Sequence, residues 1–206
     1  MLLGGRAARL VALQLGLLLF ALGIVMTLRS ELGLGPWDVL HQGLADHSPL
    51  SFGVAGIVVG VGVLAAAIAL GGVALGLGTL LNAILIGAYV DLLIAIDVVP
   101  APGALAARLA LDVGGVVAIG VGTAVYIGAA MGAGPRDSFM LAVARRFGLR
   151  VGVSRTLIEL AALVGGASLG GTVGVGTLIF ALGIGPAVEA SFRLLDRSPL
   201  AAPAPA

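Results

Sequence analysis

Charged residues divide this chain into long uncharged runs. Between Asp46 and Asp91 lie 44 residues without one Asp, Glu, Lys or Arg. As a single helix they would reach about 66 Å at a rise of about 1.5 Å per residue, twice the hydrocarbon thickness of a bilayer, about 30 Å. The run therefore crosses a membrane twice, and the glycines from Gly71-Gly72 to Gly76-Leu77-Gly78 mark the reversal. Asp112 to Arg136 encloses 23 uncharged residues, enough for one span. Glu159 to Glu189 encloses 29, about 44 Å of helix, too long for one perpendicular crossing and too short for two. A turn at Gly170-Gly171 resolves this if the fifth span begins near Val151, which puts Glu159 inside the membrane. At the other end, Leu10 to Leu28 is 19 residues long, against about 7 to 15 for the apolar part of a signal peptide. No small-residue cleavage site follows it, so it reads as a retained first span. The pattern predicts spans over 10–29, 52–70, 77–96, 111–131, 151–169 and 174–193, with 36–47 and 135–147 as short connecting helices or loops. The Pro/Ala-rich tail 198–206 reads as disordered.

The chain also repeats itself. Shifted by 99 positions, Gly33-Leu-Gly35-Pro36-Trp-Asp38 falls on Gly132-Ala-Gly134-Pro135-Arg-Asp137, Gly23 on Gly122 and Gly53-Val54 on Gly152-Val153. After a one-residue deletion Gly76-Leu-Gly78-Thr79-Leu80 falls on Gly174-Val-Gly176-Thr177-Leu178, Ile86-Gly87 on Ile184-Gly185, and Asp91 on Glu189. Each copy, about 9–97 and about 108–195, carries three spans. Because three is odd, the second copy enters the membrane from the opposite side, the plan of many secondary transporters. The expected fold is thus one all-α membrane domain over 1–206, about six transmembrane helices in two inverted-topology three-helix repeats.

Composition agrees with a lipid solvent: 60% apolar residues, 10% charged and a mean hydropathy of +1.19. The 34 glycines suit close helix packing in a bilayer, notably the pairs Gly56/Gly60, Gly128/Gly132 and Gly166/Gly170. A net charge of +1 indicates no nucleic-acid partner, and without cysteine there is no disulfide or thiolate metal site. With the N-terminus inside, Arg6, Arg9, Arg136, Arg145, Arg146, Arg150, Arg155, Arg193 and Arg197 lie on or near the cytoplasmic side, and only Arg29 and Arg108 outside. That bias predicts cytoplasmic N- and C-termini.

Three features carry a family resemblance: Gly-x-Gly-Pro-Trp-Asp at 33–38, the Gly-x-Gly-Thr turns at 76–79 and 174–177, and Arg-Arg-Phe-Gly at 145–148. Together they resemble the YczE/YitT-like family of bacterial integral membrane proteins over nearly the whole chain. The resemblance implies a bacterial plasma-membrane protein of five or six spans and brings no molecular activity with it. Trp37 departs from the internal symmetry, since its counterpart is Arg136.

Glu159 is the sharpest candidate for chemistry, because an ionised acid deep in a bilayer costs about 2.5 to 3.5 kcal/mol even on lenient scales. Arg155, one turn earlier, is placed to pair with it; the counterpart of Glu159 in the first copy is Gly60. Asn82 reads as an interhelical hydrogen-bonding group or part of a site. Thr79 and Thr177 read as helix caps, or as hydroxyls beside half-helix N-termini that bind anions. Gly35, Pro36 and Asp38, with Gly134, Pro135 and Asp137, are helix breaks; each Asp complements a helix start, or each break gates a vestibule. His41 and His47 stand near Asp38 and Asp46, yet their spacing matches no established metal pattern. Trp37, Phe52, Tyr89, Tyr126 and Phe147 fall near span ends, as interfacial anchors do.

The leading expectation is a small-solute or ion transporter-like protein with a site between the repeats near Glu159, Asn82 and Arg155. Its alternative is a non-transporting scaffold or regulator that holds a protein partner through glycine-lined faces or Arg145 and Arg146. No catalytic motif or nucleophile–base pair is visible, so no enzymatic activity, cofactor or metal is expected.

Overall fold

The computed structural model describes residues 5–71 and 76–197; the tail 198–206 and part of the turn expected at 71–78 lie outside them. Among the described residues the chain forms eight α-helices and no strand. They are α1 (Arg6–Ser30), α2 (Pro36–Asp46), α3 (Phe52–Ala69), α4 (Leu77–Ala95), α5 (Leu105–Gly128), α6 (Pro135–Phe147), α7 (Val151–Ser168) and α8 (Val175–Asp196). All but α2 and α6 are long and apolar enough to cross a membrane; the protein is a polytopic membrane protein. The six expected spans coincide with these helices within a few residues, except that α5 begins at Leu105 rather than 111. Arg108 is the reason: its charge does not end the helix, because the guanidinium reaches back to the carbonyls of Ser30 at 2.6 Å and Glu31 at 2.7 Å.

The core forms where α1 crosses α5. Gly16 and Gly23 on α1 face Gly122 and Gly115 on α5 so closely that a Cβ on any of them would meet backbone of the other helix. Close backbone approach of this kind replaces the hydrophobic effect as the packing force in lipid. Around the crossing lie the buried Leu13, Leu17, Ala21, Ile24, Val25, Ile119 and Ala124.

Contacts recur in pairs related by the sequence offset. Arg9 donates to the carbonyls of Ala129 and Ala130 at the end of α5, as Arg108 does to Ser30 and Glu31 at the end of α1. The Gly78 amide donates to the Met131 carbonyl at 2.8 Å, and the Gly176 amide to the Leu32 carbonyl at 2.7 Å. Glu31 and Ala130 both take left-handed backbone, with φ of 52° and 51°. Each of these bonds joins one half of the chain to the other. Likewise α2 packs on α7 and α3 on α6.

One pairing is broken. α3 packs against α4, whereas α7 and α8 have no comparable contact. Gly53 and Gly87 meet backbone to backbone between α3 and α4, but a Cβ added to their counterparts Gly152 and Gly185 would have no atom within 4 Å.

Candidate functional site

Both short helices begin with the same local chemistry. Gly35 and Gly134 are extended N-caps, Pro36 and Pro135 follow at N1, and Asp38 and Asp137 lie in the first turn. Proline needs no donor there, and a carboxylate complements the free amides. The fold then brings the two starts together. Arg136 of α6 lies with its guanidinium carbon 5.0 Å from the centre of the Trp37 ring on α2, and its Nη2 is 3.5 Å from His41 Nε2.

Around this junction is a cavity of about 370 Å³. Its polar wall includes Asp38, His41, Asn82, Tyr126, Arg136, Asp137, Arg155 and Glu159. Phe20, Trp37, Phe52 and Phe180 supply aromatic surface, and Gly60, the counterpart of Glu159, also lines the space. Arg155 of α7 and Gly185 and Glu189 of α8 mark the side where those two helices stand apart.

The charges inside are closely placed. Arg155 Nε donates to Glu159 Oε1 at 2.9 Å, and this pair is about half exposed. Tyr126, buried at 4% exposure, donates its hydroxyl to Asp137 Oδ2 at 3.3 Å. Asp38 is 3% exposed, and its Oδ1 has no hydrogen-bond donor: His41 Nδ1 is 3.2 Å away without hydrogen-bond alignment. Burial holds His41 below the usual imidazole range despite the opposing pull of Asp38, and burial pushes the Asp137 carboxyl above the usual range despite Arg155, Tyr126 and Arg136.

Of the residues singled out in the sequence, Glu159, Asn82 and Arg155 therefore share one wall system with Gly35, Pro36, Asp38, Gly134, Pro135 and Asp137. Thr79 and Thr177 do not join them. Their hydroxyls accept from the N-cap amides of Gly76 at 3.4 Å and Gly174 at 3.1 Å, and they are sealed against Gly132 and Gly33. That is the capping geometry.

Several further residues join the site. Trp37, Phe52 and Tyr126 line the cavity, and Phe52 meets the His41 ring edge-on at 6.0 Å. Arg136, expected among the arginines near the cytoplasmic side, faces the same space. The two histidines serve different ends, since His47 bonds the Gly43 carbonyl at 3.0 Å. Among the described residues no cluster of His, Cys, Asp and Glu suits a metal ion. The only sequence signal for Arg136 is its place opposite Trp37 in the repeat.

A family model described as a family of unknown function, DUF6198, matches residues 7–193. The chain is 36% identical over 190 residues to an uncharacterized protein of Haemophilus influenzae, covering 90% of this chain and 86% of the relative. It is 34% identical over 168 residues to the uncharacterized membrane protein YczE of Bacillus subtilis, covering 81% and 77%. The uncharacterized protein YyaS of Bacillus subtilis is 30% identical over 166 residues, covering 80% and 83%. No solved structure matches.

Proposed function

We propose that this chain, which belongs to the DUF6198 family, is a small-solute transporter whose cargo binds between two halves inserted with opposite orientation. The observation that carries the reading is the charged cavity at the meeting of α2 and α6, open between α7 and α8 but shut between α3 and α4. A scaffold would have no use for buried, incompletely paired charge around empty volume, because such groups cost stability.

The shut side supplies a pattern for closure. Asp91 on α4 accepts from the Gly53 amide at 2.8 Å and from the Ser51 hydroxyl, tying the start of α3 to α4. In the second half the matching positions are Arg150, Gly152 and Glu189. Their types permit an equivalent tie, with Arg150 reaching Glu189, once α7 swings onto α8. Pro186, inside α8 beside Gly185, gives that helix a hinge that α4 lacks, Ala88 being its counterpart. Alternating access then consists of opening one helix pair while closing the other. With cytoplasmic termini, the open side faces the cytoplasm.

Side-specific thiol labelling tests this, since the chain contains no cysteine. Glu159→Cys is expected to react with membrane-impermeant reagents from the α7–α8 side. Folded protein that stays unlabelled from both sides would overturn the transport reading and leave the scaffold.

A further inference from the structure

The cavity charges do not balance. Glu159 is paired with Arg155, and Glu189 with Arg193. What remains at the centre is two carboxylates, Asp38 and Asp137, with the Arg136 guanidinium near both and Arg155 acting on Asp137 as well as on Glu159. His41 adds no charge, since burial favours its neutral form. With both carboxylates ionised, one negative charge is thus in surplus in the cavity, and one buried oxygen of Asp38 has no donor.

The walls bear on what could neutralise such a charge. Arg136 already rests over the face of Trp37, so the aromatic surface stabilises a cation through its ring quadrupole. Phe180, Phe20 and Phe52 extend that surface around the same space. An anion would meet three carboxylates, Asp38, Asp137 and Glu159, against two guanidiniums, Arg136 and Arg155, and a neutral solute would leave the surplus in place. A cation with an apolar body satisfies both the carboxylates and the rings.

Resting on the transport reading above, we propose that the cargo class is a monovalent organic cation with an aromatic or aliphatic body, held between the Asp38 and Asp137 carboxylates and the phenylalanine rings that line the same cavity. Volume is consistent with this class, since about 370 Å³ holds a drug-sized molecule.

The test uses two ions of nearly the same shape and opposite charge. Purified protein is titrated with tetraphenylphosphonium and, separately, tetraphenylborate, following the emission of Trp37, the single tryptophan. Saturable binding of the phosphonium alone is expected, weakened by about tenfold or more in Asp38→Asn and in Asp137→Asn, as for loss of a desolvated charge contact. Preference for the borate, or equal binding of both, overturns the proposal on the unaltered protein, whatever the variants' folding. So does phosphonium binding that survives both substitutions. The two readings fail separately. Charge-selective binding without thiol access to position 159 would remove transport and keep the cation site; access without charge-selective binding would do the reverse.

Discussion

Gly53 and Gly152 occupy matched positions and have opposite surroundings. A Cβ at Gly53 would run into the Gly87 carbonyl and the Asp91 carboxylate, whereas one at Gly152 meets nothing within 4 Å. Gly53→Ala is therefore expected to lower stability by about 1 to 3 kcal/mol, the usual cost of overpacking, and Gly152→Ala to leave it nearly unchanged. Thermal unfolding of the purified variants in one detergent compares them directly. Asp137 carries a second prediction at this scale. Its carboxyl is held up by burial, and Tyr126, Arg136, Arg155 and Glu159 are the charged or titratable groups around it. A cation needs the ionised form, so affinity for tetraphenylphosphonium falls as pH drops through that raised value. Well below it the loss approaches about tenfold per unit. A pH series of the Trp37 titration reads this, and a flat profile would mean that Asp137 does not hold the cation.

At the scale of elements, Asp91 ties the start of α3 to α4, and under the transport reading this tie is the latch of the closed side. Removing it in Asp91→Asn weakens a cap worth about 0.5 to 2 kcal/mol and favours separation of α3 from α4. A cysteine at Gly60 reports the result, because a Cβ there sits at an ordinary 3.5 Å from the Ala83 carbonyl. Labelling of Gly60→Cys from the side opposite the α7–α8 opening is expected to rise severalfold when Asp91→Asn is added. No change would mean that the Asp91 tie does not govern that side. The contrast between halves has a compositional origin: where α3 has Gly60, α7 has Glu159, and where α4 has Ala88, α8 has Pro186. A charged side chain and a proline inside the helix stand where the first half has only small residues.

For the whole molecule, the runs between charges are enough to place the helices, because bilayer thickness turns length into crossings. The short helices at 36 and 135 are visible as Gly-Pro breaks, since proline at N1 is a local signal. Asp38, Asp137, Asn82 and Glu159 stand out as polar groups in apolar surroundings. Their convergence on one cavity is not visible, and neither are the parts of His41, Tyr126 and Arg136. Those parts arise only when α2 of one half meets α6 of the other. Local pattern carries capping and length; it carries no information on which residue more than ninety positions away will share a wall. The ambiguity at Thr79 and Thr177 is of the same kind, because only the fold shows Gly132 and Gly33 packed over the two hydroxyls.

The crossing of α1 with α5 also bears on how the protein is made. The carbonyls ending α1 receive their partner from Arg108, and those ending α5 from Arg9. A ribosome that has delivered only the first three spans has delivered α1 without the glycine face of α5 on which it packs. The first half can already pack α1 and α3 on α4, but the glycine face of α1 stays without its partner until α5 arrives. The two halves are not finished units joined end to end; each is incomplete alone and serves as the scaffold on which the other folds.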